Sequence, residues 1–193
     1  MDSHIDISGV IKIASETFSK MLDDFHHGES EATGFPERNL SFQFGHAFLQ
    51  SYRGALVFQE VTFNSKEHLD TLLVNAGCAI ALECKALLNE RRAQSLRDDI
   101  ERLEDTVIHR MKTRFRRDPP SKWFTVVLCE AWDEEIARLW KDTDSHCSIR
   151  TRSPRLDKYT RDYILLRDDI VYKGGRKKPW SLYWLYAYRE IPL

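Results

Sequence analysis

The stretch Glu67-His68-Leu69-Asp70-Thr71-Leu72-Leu73-Val74-Asn75-Ala76-Gly77-Cys78-Ala79-Ile80-Ala81-Leu82-Glu83-Cys84-Lys85-Ala86-Leu87 decides how the chain is read. It has the form of two short apolar strands joined by a tight turn at Asn75-Ala76-Gly77. The first strand carries one carboxylate, Asp70, in an otherwise apolar setting, and the second ends in Glu83-Cys84-Lys85. Side chains alternate across a strand, so Glu83 and Lys85 share one face while Ile80, Leu82 and Cys84 share the other. If the strands are neighbours, Asp70 comes close to Glu83 with a lysine beside them. Two carboxylates and an ammonium at the polar end of a buried sheet cost desolvation energy unless something compensates. A divalent metal is the usual compensation for such a carboxylate pair.

Upstream, residues 5–25 place Val10, Ala14, Phe18, Met21, Leu22 and Phe25 at helical spacing. A polar, glycine-containing linker follows, and its adjacent His26-His27 point apart on an extended chain, which argues against a metal pair. Pro36 opens a second helix, about 36–52, from the first-turn position that tolerates proline. Its apolar face runs through Leu40, Phe44, Ala47 and Phe48, and Glu37 in the first turn can point toward a neighbouring strand end or simply complement the helix dipole. Residues 55–63 read as the first core strand and contain Glu60, which can reach the carboxylates or face solvent.

Downstream, residues 86–112 predict one long helix with a stripe through Leu88, Leu96, Ile100, Leu103, Val107 and Met111. Arg91, Arg92, Arg97, Arg102 and Arg110 crowd its other face among acids. Asp118-Pro119-Pro120 must break it. Residues 123–129 then read as a buried strand beside the Glu83 strand, 132–140 as a helix, and 163–172 and 180–188 as two strands. Trp180, Leu182, Trp184, Tyr186 and Tyr188 share one face of the last strand; such a stripe fills a core more often than it stacks on bases.

Asp70 followed by Glu83-Cys84-Lys85 resembles the metal-binding core of the PD-(D/E)xK, or restriction-endonuclease-like, nuclease superfamily. Leu69 stands where that motif has its proline, and Glu83-Cys84-Lys85 is the chain's only acid-x-Lys triplet. The resemblance covers roughly residues 35–130. It implies an α/β fold with an αβββαβ core and a central mixed sheet flanked by helices. The chain would then be a single domain over 1–193: a core of about 35–140, an N-terminal helix and linker over 1–34, and a C-terminal β-hairpin extension within the basic, aromatic segment 143–193. It also implies Mg²⁺ or Mn²⁺ held by Asp70, Glu83 and the Cys84 backbone carbonyl, with Lys85 orienting or deprotonating the attacking water or neutralising charge. Members of the superfamily often carry a helical glutamate that assists the metal. Glu37 is the candidate here, with Gln43 and His46 weaker ones on the same helix.

The expected activity is metal-dependent hydrolysis of phosphodiester bonds, with DNA ahead of RNA because most of the superfamily cuts DNA. The settings it suggests are restriction or phage defence, repair or recombination, mobile-element functions, or a toxin-like effector. The competing reading is a nonenzymatic nucleic-acid- or protein-binding module in which the acids and the lysine form a structural ion pair.

Bulk properties are compatible with either. The 193 residues carry 42% hydrophobic and 31% charged side chains and a net charge of −1, as in an ordinary globular protein. No apolar run reaches the roughly 20 residues of a membrane helix, and the acidic start Met1-Asp2-Ser3-His4 lacks the form of a signal peptide. The expected setting is therefore cytoplasmic. Cys78, Cys84, Cys129 and Cys147 have no CxxC spacing and read as reduced residues. The charge is uneven: the first 37 residues are acidic, while 110–122 and 150–178 are basic. Arg150, Arg152, Arg155, Lys173, Arg176, Lys177 and Lys178 are the candidates for phosphate contacts, or else part of a solvated surface. Dimerisation for duplex cutting would use the 86–112 helix or the C-terminal strands.

Overall fold

The computed structural model describes residues 5–24, 37–62, 68–87, 90–103, 108–115, 119–132, 134–141, 158–170 and 180–192. The chain runs α1 (Ile7–Asp24), α2 (Glu37–Ser51), β1 (Leu56–Thr62), β2 (His68–Asn75), β3 (Cys78–Ala86), α3 (Glu90–Arg102), α4 (Ile108–Arg114), β4 (Lys122–Ala131), α5 (Glu134–Lys141), β5 (Thr160–Ile170) and β6 (Trp180–Ile191). The strands form one mixed sheet in the order β1-β2-β3-β4-β6-β5, with helices on both faces. The protein is an α/β protein. No described helix is long and apolar enough to cross a membrane.

The β2–β3 hairpin forms where the sequence places it. Asn75 pairs with Cys78 across a two-residue turn, and Ala76 and Gly77 take positive φ of 38° and 87°. That is the mirror-image turn matching the natural twist of paired strands, and glycine adopts it without steric cost. The Gly77 carbonyl accepts the backbone N–H groups of Ser121 and Lys122 at 2.7 and 3.1 Å, which ties the turn to the start of β4. From there β3 and β4 run parallel, Cys78 opposite Lys122 through Ala86 opposite Glu130.

Alternation along β3 sorts the core into two layers. Ile80, Leu82 and Cys84 join Val126, Leu128, Leu182 and Trp184 beneath α1 and α2, with Phe18 stacked on Trp184 at 5.1 Å. Ala79 and Ala81 join Leu69, Leu72 and Trp123 against Leu103, Ile108 and Met111. Further along that face, Val127, Cys129 and Leu185 meet Leu96 and Ile100 of α3 and Trp140 of α5. Cys78, Cys84 and Cys129 are buried free thiols, and Cys147 lies outside the described residues. In α1 the Asp6 carboxylate caps the helix by accepting the Gly9 N–H at 2.9 Å.

One expectation is corrected. The helix expected over 86–112 does not begin at Ala86, which still pairs with Glu130 at the end of β3; α3 and α4 follow, with 88–89 and 104–107 outside the described residues. Leu96, Ile100, Leu103 and Met111 of the expected stripe are buried, and so is Ile108. The expected C-terminal hairpin is formed by β5 and β6, which extend the sheet beyond β4. β6 lies between β4 and β5, pairing antiparallel with both, and its Leu182 and Trp184 are core residues.

Candidate functional site

The β2–β3 ladder ends at Thr71 opposite Leu82. One step further, Asp70 stands level with Glu83, and its carboxylate takes over the acceptor role of the missing backbone partner. Asp70 Oδ2 accepts the Cys84 N–H at 2.7 Å. The hydrogen bond fixes the carboxylate against the end of β3 and holds it beside Glu83. Glu83 is buried, with only 3% of its side chain exposed.

That proximity is unfavourable for two anions. Burial, and then the Asp70 charge, push the Glu83 carboxyl well above the usual carboxylate range, although Arg102 pulls the other way. Arg102, the last residue of α3, reaches Glu83 Oε1 at 2.6 Å. The same guanidinium meets Asp99 Oδ1 at 3.3 Å and donates to the His68 carbonyl at 2.5 Å.

Lys85 projects from the same face of β3 as Glu83, and its ammonium meets Asp99 Oδ2 at 2.8 Å. Burial alone would favour the neutral amine. The hydrogen bond and charge of Asp99, with Glu37 and Glu83 further off, more than offset it and raise the pKa above its ordinary value. Lys85 is therefore held as an ammonium. Glu37 closes the group from α2: its Oε1 accepts the Ala86 N–H at 3.3 Å, bringing a first-turn helix carboxylate to the strand end. Cys84 turns its thiol into the apolar core, where burial raises its pKa, leaving only its backbone toward the cluster.

Asp70, Glu83, Lys85 and Glu37 thus gather at one end of the sheet. The other candidates do not join them. Gln43 is buried against α1 and donates to Met21 Sδ at 3.0 Å. His46 is exposed, its ring stacked on Phe42. Glu60 lies level with Asp70, between the pairs Gln59–Thr71 and Val61–Leu69. Its positive φ of 51° leaves the regular strand geometry, and its carboxylate pairs with Arg38 at 2.7 Å instead. Arg150, Arg152, Arg155, Lys173, Arg176, Lys177 and Lys178 lie outside the described residues, as do His26 and His27.

Asp99 and Arg102 are the site residues that sequence reasoning missed. Arg102 was placed on the solvent face of a long helix, yet only 22% of its side chain is exposed. The signal was present: Asp99 and Arg102 flank the buried stripe Leu96, Ile100 and Leu103, so they lean onto the sheet beside it. Lys85 was expected to be clamped by Asp70 and Glu83, and its direct partner is Asp99 instead. The sheet also buries Glu130 completely, with Trp132 Nε1 donating to its Oε1.

Among the described residues, no three His, Cys, Asp or Glu side chains are arranged as a ready-made metal site. The donor chemistry of the Asp70–Glu83 pair nevertheless fits a hard divalent cation, with a backbone carbonyl and water left to complete the oxygen shell. The crowding that raises the Glu83 pKa is relieved by a cation in the same place.

The geometry defines an α/β protein with a carboxylate–ammonium cluster at the end of its central strands. Compared with protein-family models, with curated proteins and with solved structures, the chain matches none.

Proposed function

We propose that the chain is a metal-dependent endonuclease of the PD-(D/E)xK kind, with Asp70, Glu83 and Lys85 as its catalytic residues. The order α2-β1-β2-β3-α3-β4, with β1 to β3 antiparallel and β4 parallel to β3, supports this reading because it is the αβββαβ arrangement that the resemblance implies. The observation that carries it is the strand-end constellation itself. Asp70 is locked to the Cys84 N–H beside Glu83, with Lys85 on the same face.

Phosphodiester hydrolysis requires water to attack phosphorus and the bond to the leaving alkoxide to break. A Mg²⁺ or Mn²⁺ ion, when bound, supplies an acidified water and neutralises phosphoryl charge. Asp70, Glu83 and the Cys84 carbonyl are the groups that would hold it. Lys85, kept protonated by Asp99, suits stabilisation of charge on the phosphoryl oxygens better than proton abstraction. Glu37 is placed to orient a water or complete the acidic rim. The resemblance favours DNA over RNA as substrate.

The test incubates wild-type protein and a Lys85→Ala variant with supercoiled plasmid, single-stranded DNA and a structured RNA, in Mn²⁺, Mg²⁺ or EDTA. Metal-dependent cleavage that vanishes in the variant supports the reading and identifies the nucleic acid. No cleavage of any substrate in any metal removes it.

One observation favours a second reading, a noncatalytic binding module. Each ionised group of the cluster already has a partner within the protein: Glu83 has Arg102, Lys85 has Asp99, Asp70 has the Cys84 N–H and Glu37 the Ala86 N–H. A purely structural cluster would be indifferent to Mn²⁺. An enzyme binds it with an affinity that falls in Glu83→Gln.

A further inference from the structure

We propose that Arg102 is an exchangeable counter-ion and positioning residue: its guanidinium occupies the electrostatic place of the divalent cation at Glu83 and is displaced when the cation binds. The inference rests on the nuclease reading and deepens it by naming what holds the carboxylate pair together before metal arrives.

Three features of the geometry carry it. First, several carboxylates crowd one strand end. Asp70, Glu83 and Asp99 lie together around Lys85 and Arg102, and Glu37 reaches the Ala86 N–H at the same strand end. Second, the Glu83 carboxylate is almost wholly buried, and the Arg102 guanidinium at 2.6 Å is its only direct cationic contact among the described residues. Removal of that contact without replacement strands a buried charge beside Asp70. Third, Arg102 can leave without being stranded itself. It also holds the His68 carbonyl and Asp99 Oδ1, so releasing Glu83 costs it one of three acceptors. A contact on which one partner depends and the other does not is suited to exchange.

The arrangement also separates the two cations of the cluster. Asp99 receives Lys85 through Oδ2 and Arg102 through Oδ1. When Arg102 swings off Glu83, Asp99 remains to hold it while keeping Lys85 in place. A direct Lys85–Glu83 pair would have placed the catalytic ammonium in competition with the metal. Arg102 takes that competition instead.

The experiment is Mn²⁺ titration by calorimetry of the full chain as wild type, Arg102→Gln and Arg102→Lys, each checked for fold by far-UV circular dichroism. Mutually exclusive occupancy predicts that Arg102→Gln binds Mn²⁺ about tenfold more tightly than wild type. Arg102→Lys, which retains the charge but loses the fork that reaches several acceptors, falls between them. Tighter binding in Arg102→Lys alone supports the proposal where the glutamine variant fails to fold. Mn²⁺ binding that is equal or weaker in both folded variants overturns the exchange while leaving the nuclease reading intact. No Mn²⁺ binding by any of the three proteins overturns both.

Discussion

Two arginine–glutamate pairs in this protein have almost the same length and opposite meanings. Arg102 meets Glu83 at 2.6 Å, with side chains 22% and 3% exposed. Arg38 meets Glu60 at 2.7 Å, with side chains 79% and 54% exposed. The two glutamates even flank one residue: Glu60 and Glu83 lie on either side of Asp70, on the strands β1 and β3 that pair with β2. Environment decides what each pair does. At the surface, water screens the attraction and solvates either partner alone, so the pair carries little free energy. In the interior the carboxylate cannot lose its partner without consequence, because it is under pressure from burial and from Asp70. The same two residue types therefore make a surface contact in one place and part of a buried charge cluster in the other.

The largest expected effect lies in catalysis. Under the proposed nuclease reading, Asp70→Ala, Glu83→Gln and Lys85→Ala should each lower the cleavage rate by at least about a thousandfold, since Asp70 and Glu83 would hold the metal and Lys85 would stabilise charge on the phosphoryl oxygens. Circular dichroism should show the variants folded. Glu60→Ala should retain the wild-type rate, because its carboxylate is turned toward Arg38. If the Glu60 and Glu83 variants lost activity equally, the distinction between the pairs would collapse.

Stability gives the next contrast, on the two faces of β3. Leu82→Ala removes a fully buried side chain from the layer beneath α1 and α2 and should cost about 3 kcal/mol in urea unfolding. Arg102→Ala, measured in EDTA, should cost about 2 kcal/mol. That is below the usual penalty for breaking a buried pair, because Arg102 is partly solvated and Glu83 can take up a proton. Saturating Mn²⁺ should shrink the Arg102→Ala cost and leave the Leu82→Ala cost unchanged. Equal costs with and without metal would show the Arg102 pair to be only structural.

The readable and unreadable parts of the sequence divide along similar lines. The hairpin and the faces of β3 were legible because alternation and the Asn75-Ala76-Gly77 turn act over a few residues, whereas β4 was expected only beside β3 and its parallel direction comes from the structure. The approach of Asp70 to Glu83, with Lys85 on the same face, followed from them, whereas Glu37 was a candidate only through the resemblance. The partners of Glu83 and Lys85 were not legible, because they come from α3. Where a helix crosses a sheet is set by packing, and a shift of one residue exchanges a solvent arginine for a buried one. Glu60 was ambiguous for another reason. A strand residue with φ of 51° escapes the alternation rule, and nothing in Phe58-Gln59-Glu60-Val61 announces it.

That backbone feature makes the smallest prediction the most discriminating one. A left-handed glutamate costs about 1 kcal/mol relative to an extended one, so something in the folded chain must hold Glu60 there. One candidate is the bridge to Arg38; the other is the β1–β2 pairing on either side, Gln59 with Thr71 and Val61 with Leu69. A solvent-exposed pair contributes only about 0.5 kcal/mol or less, too little to impose the conformation, whereas the flanking pairs are anchored through the buried side chains of Thr71 and Leu69. Arg38→Ala should therefore change the unfolding free energy by no more than about 0.5 kcal/mol, and that difference should fade in molar salt as the Debye length shrinks. A larger, salt-insensitive loss would make the bridge the clamp on Glu60. The surface pair would then shape the strand beside Asp70, and the contrast with Arg102 would become one of degree.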